Sequence, residues 1–250
     1  MAEYPILRER LSAVYRLVRR GSVAVDVGTD HAYLPIALCL DGVSPRVVAS
    51  DVKDGPVQRA KEDVARYGLS DVITVVKTDG LLGLDVYSPD DILIAGMGGE
   101  LIVRILQDAP WISKQGIRLV LQPMTHQETV RKYLLASGFS IVCEEIAEDD
   151  GGRIYQIIAA EYDGIVRETE DTPEGRVDLA LGGVGVCRNA TLYLKHLRRN
   201  AEIYRRRIDG KAAAEKQSGE MNDALRRDRE IYDEIVRRIA EAERMASDEG

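Results

Sequence analysis

Residues 23–35, VAVDVGTDHAYLP, bring together side chains that could hold a ligand. An apolar run ends at Asp26, the chain turns at Gly28, and Asp30, His31 and Tyr33 lead into the next stretch. In an open α/β sheet, ligands bind beyond the carboxyl ends of the strands, which is where this turn falls. Glycine at 28 lets a ligand approach the backbone. The dinucleotide fingerprint would need glycine at 28, 30 and 33; the chain has Gly28, Asp30 and Tyr33. A carboxylate at 30 repels a pyrophosphate held by the next helix N-terminus. NAD and FAD are therefore disfavoured. A cofactor with no phosphate and a cationic end fits better, and S-adenosylmethionine (SAM) is one. Asp30 is also a residue type that caps helices, a role compatible with ligand contact. Asp51 lies about 23 residues beyond Gly28, after the second apolar run, where a carboxylate accepts both ribose hydroxyls. Asp79 and Gly80 follow the third run, where a side chain can meet an adenine edge. Acids at strand ends are common; the ordered set Asp26–x–Gly28, Asp51, Asp79 is the stronger signal.

The elements that must position these groups can be read along the chain. Residues 23–27, 46–50, 72–77, 91–95 and 117–121 are short, Val- and Ile-rich and almost continuously apolar, as parallel strands covered on both faces should be. Helices are predicted over 31–41, 55–67, 99–109 and 126–137. Leu7, Leu11, Val14 and Val18 add a leading amphipathic helix. This alternation predicts an α/β sheet with right-handed crossovers. Residues 139–147 and 153–160, parted by Asp149, Asp150, Gly151 and Gly152, predict a terminal antiparallel hairpin and a mostly parallel seven-stranded sheet. The expected domain spans 1–162, followed by a linker, acidic then glycine-rich, over 163–187. A helical arm is expected over 188–250. Leu194, Leu197, Ala201, Tyr204 and Ile208 step as a heptad seam, and Leu225, Tyr232, Ile235, Ile239 and Ala242 resume it. Gly210 and Gly219 interrupt the seam, which predicts an antiparallel helical coiled-coil hairpin.

The chain of 250 residues is 45% hydrophobic, enough for a sizeable core, with a net charge of -8 that argues against coating nucleic acid by bulk charge. Apolar runs reach about nine residues, whereas a membrane span needs roughly 20. The first ten residues carry Glu3, Arg8, Glu9 and Arg10 and no apolar signal core, so a cytoplasmic protein is expected. Cys39, Cys143 and Cys187, like His31, His126 and His196, are too scattered for a disulfide framework or a metal site.

The stretches DVGTDHAYLP (26–35), SDVKDGP (50–56), IAGMGGELI (94–102) and LQPM (121–124), in this order, resemble the bacterial TrmK family of SAM-dependent tRNA (adenine22-N1)-methyltransferases. The resemblance covers about 1–160 and, more loosely, the arm. It implies a class I methyltransferase (Rossmann-like) fold, SAM as donor and a tRNA adenosine as acceptor. Carried onto this chain, the cofactor positions are Gly28, Asp30, His31, Asp51, Asp79, Gly80, Met97 and Gly98; Asp26 joins them from the strand-end pattern. Many amino-methylating relatives have an NPPY-like tetrapeptide after the fourth strand. AGMGG stands here instead and offers no side-chain carbonyl to align an exocyclic amine. That agrees with attack by a ring nitrogen.

Asp30 is the expected stabiliser of the charged ring or acceptor of an N6 proton. Tyr33 is expected to stack on or hydrogen-bond the base. His31 could do either, contact the methionine end of SAM, or be structural. Gln122 and Pro123 are expected to wall the base pocket, although Pro123 also suits a strand end. Residues 188–207 hold seven basic side chains against one acid, Glu202. Among them Arg198, Arg199, Arg205 and Arg206 are the expected tRNA contacts. The heptads serve intrachain hairpins and dimers alike, with the monomer slightly favoured. The rival readings are a methyltransferase acting on another RNA, a protein or a small molecule, or a non-enzymatic nucleoside-binding regulator with a coiled-coil interaction arm.

Overall fold

The computed structural model describes residues 4–183, 189–218 and 223–248. They form two compact units, Met1–Arg167 and Glu168–Gly250. In the first unit, the Val- and Ile-rich runs become parallel strands, covered on both faces except in the third, at the sheet edge. These are β1 (Ala24–Val27), β2 (Val47–Asp51), β3 (Ile73–Lys77), β4 (Asp91–Met97) and β5 (Arg118–Pro123). They alternate with α1 (Glu9–Leu17, ahead of β1), α2 (Tyr33–Leu40), α3 (Asp54–Arg66), α4 (Gly99–Gln107) and α5 (Gln127–Ala136). The hairpin β6 (Phe139–Glu148) and β7 (Ile154–Tyr162) completes a seven-stranded sheet in the order β3-β2-β1-β4-β5-β7-β6, with β7 antiparallel to β5 and β6.

Side chains alternate between two cores. Ala24 packs with Val14, Leu17, Ile36 and Val64 beneath α1–α3. Its neighbour Val25 packs with Ile102, Leu106, Val130 and Leu134 beneath α4 and α5. This alternation explains why the strands read as unbroken apolar runs. β4 and β5 run two residues past their expected ends, through an irregular register between Ala95 and Met97. The strand order reverses between β1 and β4, so a crevice opens beyond their carboxyl ends.

The second unit corrects two expectations. The segment 163–187, expected as a linker, contains a helix, α6 (Pro173–Leu181). Thr172 caps it by accepting from the Gly175 N–H at 3.1 Å, Pro173 opens it, and Gly182 follows it at φ 85°. The expected break at Gly210 is also absent. α7 (Ala190–Ser218) runs straight through that glycine, which packs against nothing, and α8 (Asp223–Asp248) follows. The expected break at Gly219 lies outside the described residues, as do Cys187 and Arg188. Arg198 pairs with Glu243 and Arg207 with Asp228, so α7 and α8 are antiparallel. Their seam buries Leu197, Leu225 and Ile235. Arg238, also buried, ties α8 to α6 through Asp178 at 2.7 Å and is held by Glu234 at the same distance. Among the described residues no helix is long and apolar enough to cross a membrane.

Candidate active site

The turn after β1 places most of the expected residues together. Gly28 and Thr29 donate their N–H groups to the Ser50 carbonyl of β2 at 2.8 and 2.9 Å. Gly28 has φ 80°, a backbone conformation that favours glycine, and a Cβ there would displace the flexible end of Met97. Ala32 adopts φ 51° as the N-cap of α2. A non-glycine residue in that region marks strain held by its surroundings.

A cavity of about 370 Å³ opens here, within the usual size range of ligand sites. Asp26, Gly28, Asp30, His31 and Tyr33 all line it. Asp26 is 7% exposed; burial pushes its carboxyl up to about 6, against the Thr29 hydroxyl and the Arg10 guanidinium, which hold it down. His31 meets the buried Asp63 through Nδ1 at 2.8 Å and stacks on Tyr33, with ring centroids 5.1 Å apart. Asp30 does not cap α2, whose N-cap Ala32 has no side-chain bond. Its carboxylate is instead exposed and accepts from Arg59 of α3, from Nε at 3.0 Å and from Nη2 at 2.5 Å.

The remaining expected residues stand on the same edge of the sheet, outside this cavity's lining. Asp51 ends β2 and accepts the Lys53 N–H at 2.8 Å. Asp79 is exposed after β3, and Gly80 follows it at φ 56°. Met97 ends β4, and Gly98 is the N-cap of α4. Gln122 and Pro123 are buried in β5, so neither forms an open wall for a base. Gln122 is also fully engaged within the protein. Its Oε1 accepts from Arg10 at 2.9 Å and from the Gly96 N–H at 3.0 Å, and its Nε2 donates to the Pro123 carbonyl at 3.0 Å.

Arg10 is a cavity-lining residue that sequence reasoning missed. It stands on α1, half-buried, between Asp26 and Gln122. Burial draws its guanidinium below the usual value while Tyr155 and Asp26 oppose this. The available signal was its position four residues before the buried Val14, a charge on the apolar stripe of α1. Together, Arg10 and Asp26 set opposite charges on one cavity, an arrangement that suits a ligand carrying both an ammonium and a carboxylate.

In the second unit, the expected basic surface is partly neutralised by its own hairpin. Arg198 bonds Glu243 at 2.6 Å, Arg206 lies 3.6 Å from Glu202, and Arg207 and Lys211 share Asp228. Arg199 and Arg205 are exposed on the same helix.

The methyltransferase-domain family model matches residues 7–158. The tRNA (adenine(22)-N(1))-methyltransferase of Bacillus subtilis is 37% identical over 166 residues, covering 64% of this chain and 69% of that protein. A crystal structure of the B. subtilis m1A22 tRNA methyltransferase TrmK matches with a TM-score of 0.70 at 27% identity, over 96% of this chain and 98% of the other. A putative tRNA (m1A22) methyltransferase of Streptococcus pneumoniae, solved with S-adenosyl-L-methionine, matches with a TM-score of 0.75 at 28% identity, over 92% and 99%.

Proposed function

The chain belongs to the tRNA (adenine(22)-N(1))-methyltransferase family, and on that premise we propose that it methylates N1 of an adenosine in tRNA, at position 22 by family, using SAM. The observation that carries this reading is the joint placement of Asp26, Gly28 and Arg10 on one cavity at the strand-order reversal.

The residues present fit that donor. Asp26 faces the cavity with a carboxyl whose charge burial disfavours, so an entering ammonium group relieves it. Arg10 supplies the complementary charge for a carboxylate. Gly28 leaves its backbone open to close approach. Asp51 is assigned to the ribose hydroxyls and Asp79 with Gly80 to the adenine edge, and Met97 and Gly98, after β4, to the donor's side of the crevice. His31, braced by Asp63, holds Tyr33 in a stacked pair at the cavity. Asp30, locked to Arg59, fixes the outer rim. Bound there, SAM supplies a methyl group on a cationic sulfur. The protein's task is then alignment, which can supply ~7–11 kcal/mol of a barrier.

The target base must leave its stack to reach the cavity. Exposed Arg199 and Arg205, with Arg198 and Arg206, are assigned to phosphates beyond the base. The ion pairs of Arg198 with Glu243 and of Arg206 with Glu202 mean that RNA must compete for these two side chains. The proposal needs only a monomer, in the cytoplasm where tRNA is found, with the helical unit 168–250 as the RNA arm. Incubation with labelled SAM and unmodified tRNA, followed by nucleoside mapping, tests it. Label in 1-methyladenosine at one site is expected; label elsewhere, or none, refutes it.

A further inference from the structure

We propose that a second cavity, beside the first, receives the acceptor adenosine, and that Asp149 together with Tyr155 stabilises the positive charge the ring acquires. This rests on the methyltransferase reading above. The second cavity measures about 810 Å³. Gly96 and Met124, at the ends of β4 and β5, form its floor, and the β6–β7 turn with Asp149, Asp150 and Tyr155 forms its far wall. The near wall is α1 and the residues before it; Ile6, Arg8, Arg10 and Leu11 line both cavities. The two are therefore adjoining compartments of one cleft.

The chemistry specifies what the second compartment must contain. The N1 lone pair forms the new nitrogen–carbon bond as the methyl carbon's bond to sulfur breaks, and that electron pair stays on sulfur. The sulfur loses its positive charge and the adenine ring takes one. No proton has to leave, so the site needs an anion rather than a base.

Asp149 meets that need. One carboxylate oxygen accepts the Arg153 N–H at 2.8 Å, and the other accepts the Tyr155 hydroxyl at 2.8 Å. These bonds, with the Arg153 charge, hold its carboxyl below the ordinary range, so it stays ionised. Asp150 adds negative charge on the same turn, whereas Arg8 and Arg10, with Glu9 between them, leave the opposite wall with one net positive charge. Arg10 is already tied to Gln122 and balanced by Asp26. The compartment is thus positive on one wall and negative on the other. A nucleotide has the same polarity once methylated, with an anionic phosphate at one end and a cationic base at the other. Tyr155, half-buried, also offers a ring for the base to stack on. Gly96, with no side chain and φ 80°, keeps the floor low beneath the base.

The test uses the full-length protein with one tRNA, prepared both unmodified and fully methylated at the target. Asp149→Asn retains an acceptor for the Arg153 N–H and loses the charge. It is expected to lower kcat about ten- to hundredfold, the range of a hydrogen bond to a charged group. Its affinity for methylated tRNA relative to unmodified tRNA is expected to fall about tenfold, with SAM affinity within about twofold. Tyr155→Phe keeps the ring and should shift both readouts in the same direction by less. It carries the test if thermal unfolding shows that Asp149→Asn does not fold. A wild-type protein that leaves the tRNA unmethylated defeats the activity reading itself. An active wild type whose Asp149→Asn and Tyr155→Phe forms keep kcat and the product preference overturns this proposal alone. So does an equal loss in Asp150→Asn, which would make the effect one of general charge on the turn.

Discussion

Asp26→Asn should strengthen the unliganded fold and weaken SAM binding in the same protein. Asp26 is buried at the end of β1, and its carboxyl is pushed from an ordinary value near 3.8 up to about 6. The folded state therefore binds a proton that the unfolded chain has released. Stability contributed by the protonated group is present below pH 4 and is lost as pH rises towards 6, at ~1.4 kcal/mol per pH unit. At pH 7–8 the accumulated penalty is ~3 kcal/mol. Asparagine is neutral throughout and escapes it. The gain falls short of that figure, because the amide no longer balances Arg10. SAM affinity should move the other way and fall about ten- to hundredfold, as loss of a charged partner implies. Urea unfolding of both proteins at pH 5 and pH 8, with calorimetry of SAM at pH 8, reads both effects. Wild type and mutant should differ more in stability at pH 8 than at pH 5. Parallel curves across that interval would show that Asp26 releases its proton at the ordinary pH and would refute the burial argument. Unchanged SAM affinity would remove Asp26 from the site.

Arg10→Met keeps the apolar stem and deletes the charge; SAM affinity should drop about ten- to hundredfold by calorimetry. Asp51→Ala should weaken SAM binding over a similar range by removing the acceptor for the ribose hydroxyls, and an unchanged affinity in a folded mutant would place Asp51 outside the site. Arg205→Glu with Arg206→Glu should raise KM for tRNA and flatten its salt dependence, since fewer arginines on phosphates displace fewer counterions. SAM affinity should stay constant in that double mutant, and an unchanged KM would make this face of α7 merely solvated.

The sheet was legible because β1, β2, β4 and β5 are largely buried on both faces, and continuous Val- and Ile-rich runs have few other uses. The hairpin was legible from Asp149–Gly152, where acids and glycines leave no strand to continue. α6 was hidden by composition. Its start at Thr172–Pro173 and its stop at Gly182 are regular helix signals, but the surrounding acids and glycines read as a linker. Gly210 misled in the opposite sense, because a single glycine weakens a long helix by only ~1 kcal/mol and packing along α8 outweighs it. Within the site, the backbone turn at Gly28 followed from local pattern, but the side-chain partners did not. Asp30 meets Arg59 across 29 positions, and Arg10 meets Gln122 across 112. No local periodicity encodes pairings of that span.

The span of that last pairing bears on how the protein is made. α1 leaves the ribosome ahead of the whole sheet, yet its anchors are synthesised late: Gln122 for Arg10, and Glu145 for Arg16, which lies 129 positions away. Contacts so distant in sequence form only after the intervening chain has closed into a loop. The nascent chain thus carries the start of its cleft through most of the domain's synthesis before the far wall exists. Chains halted before β5 should not retain SAM, although β1, β2 and the turn at Gly28 are already present. Cofactor capture during translation would then mark the moment when α1 docks.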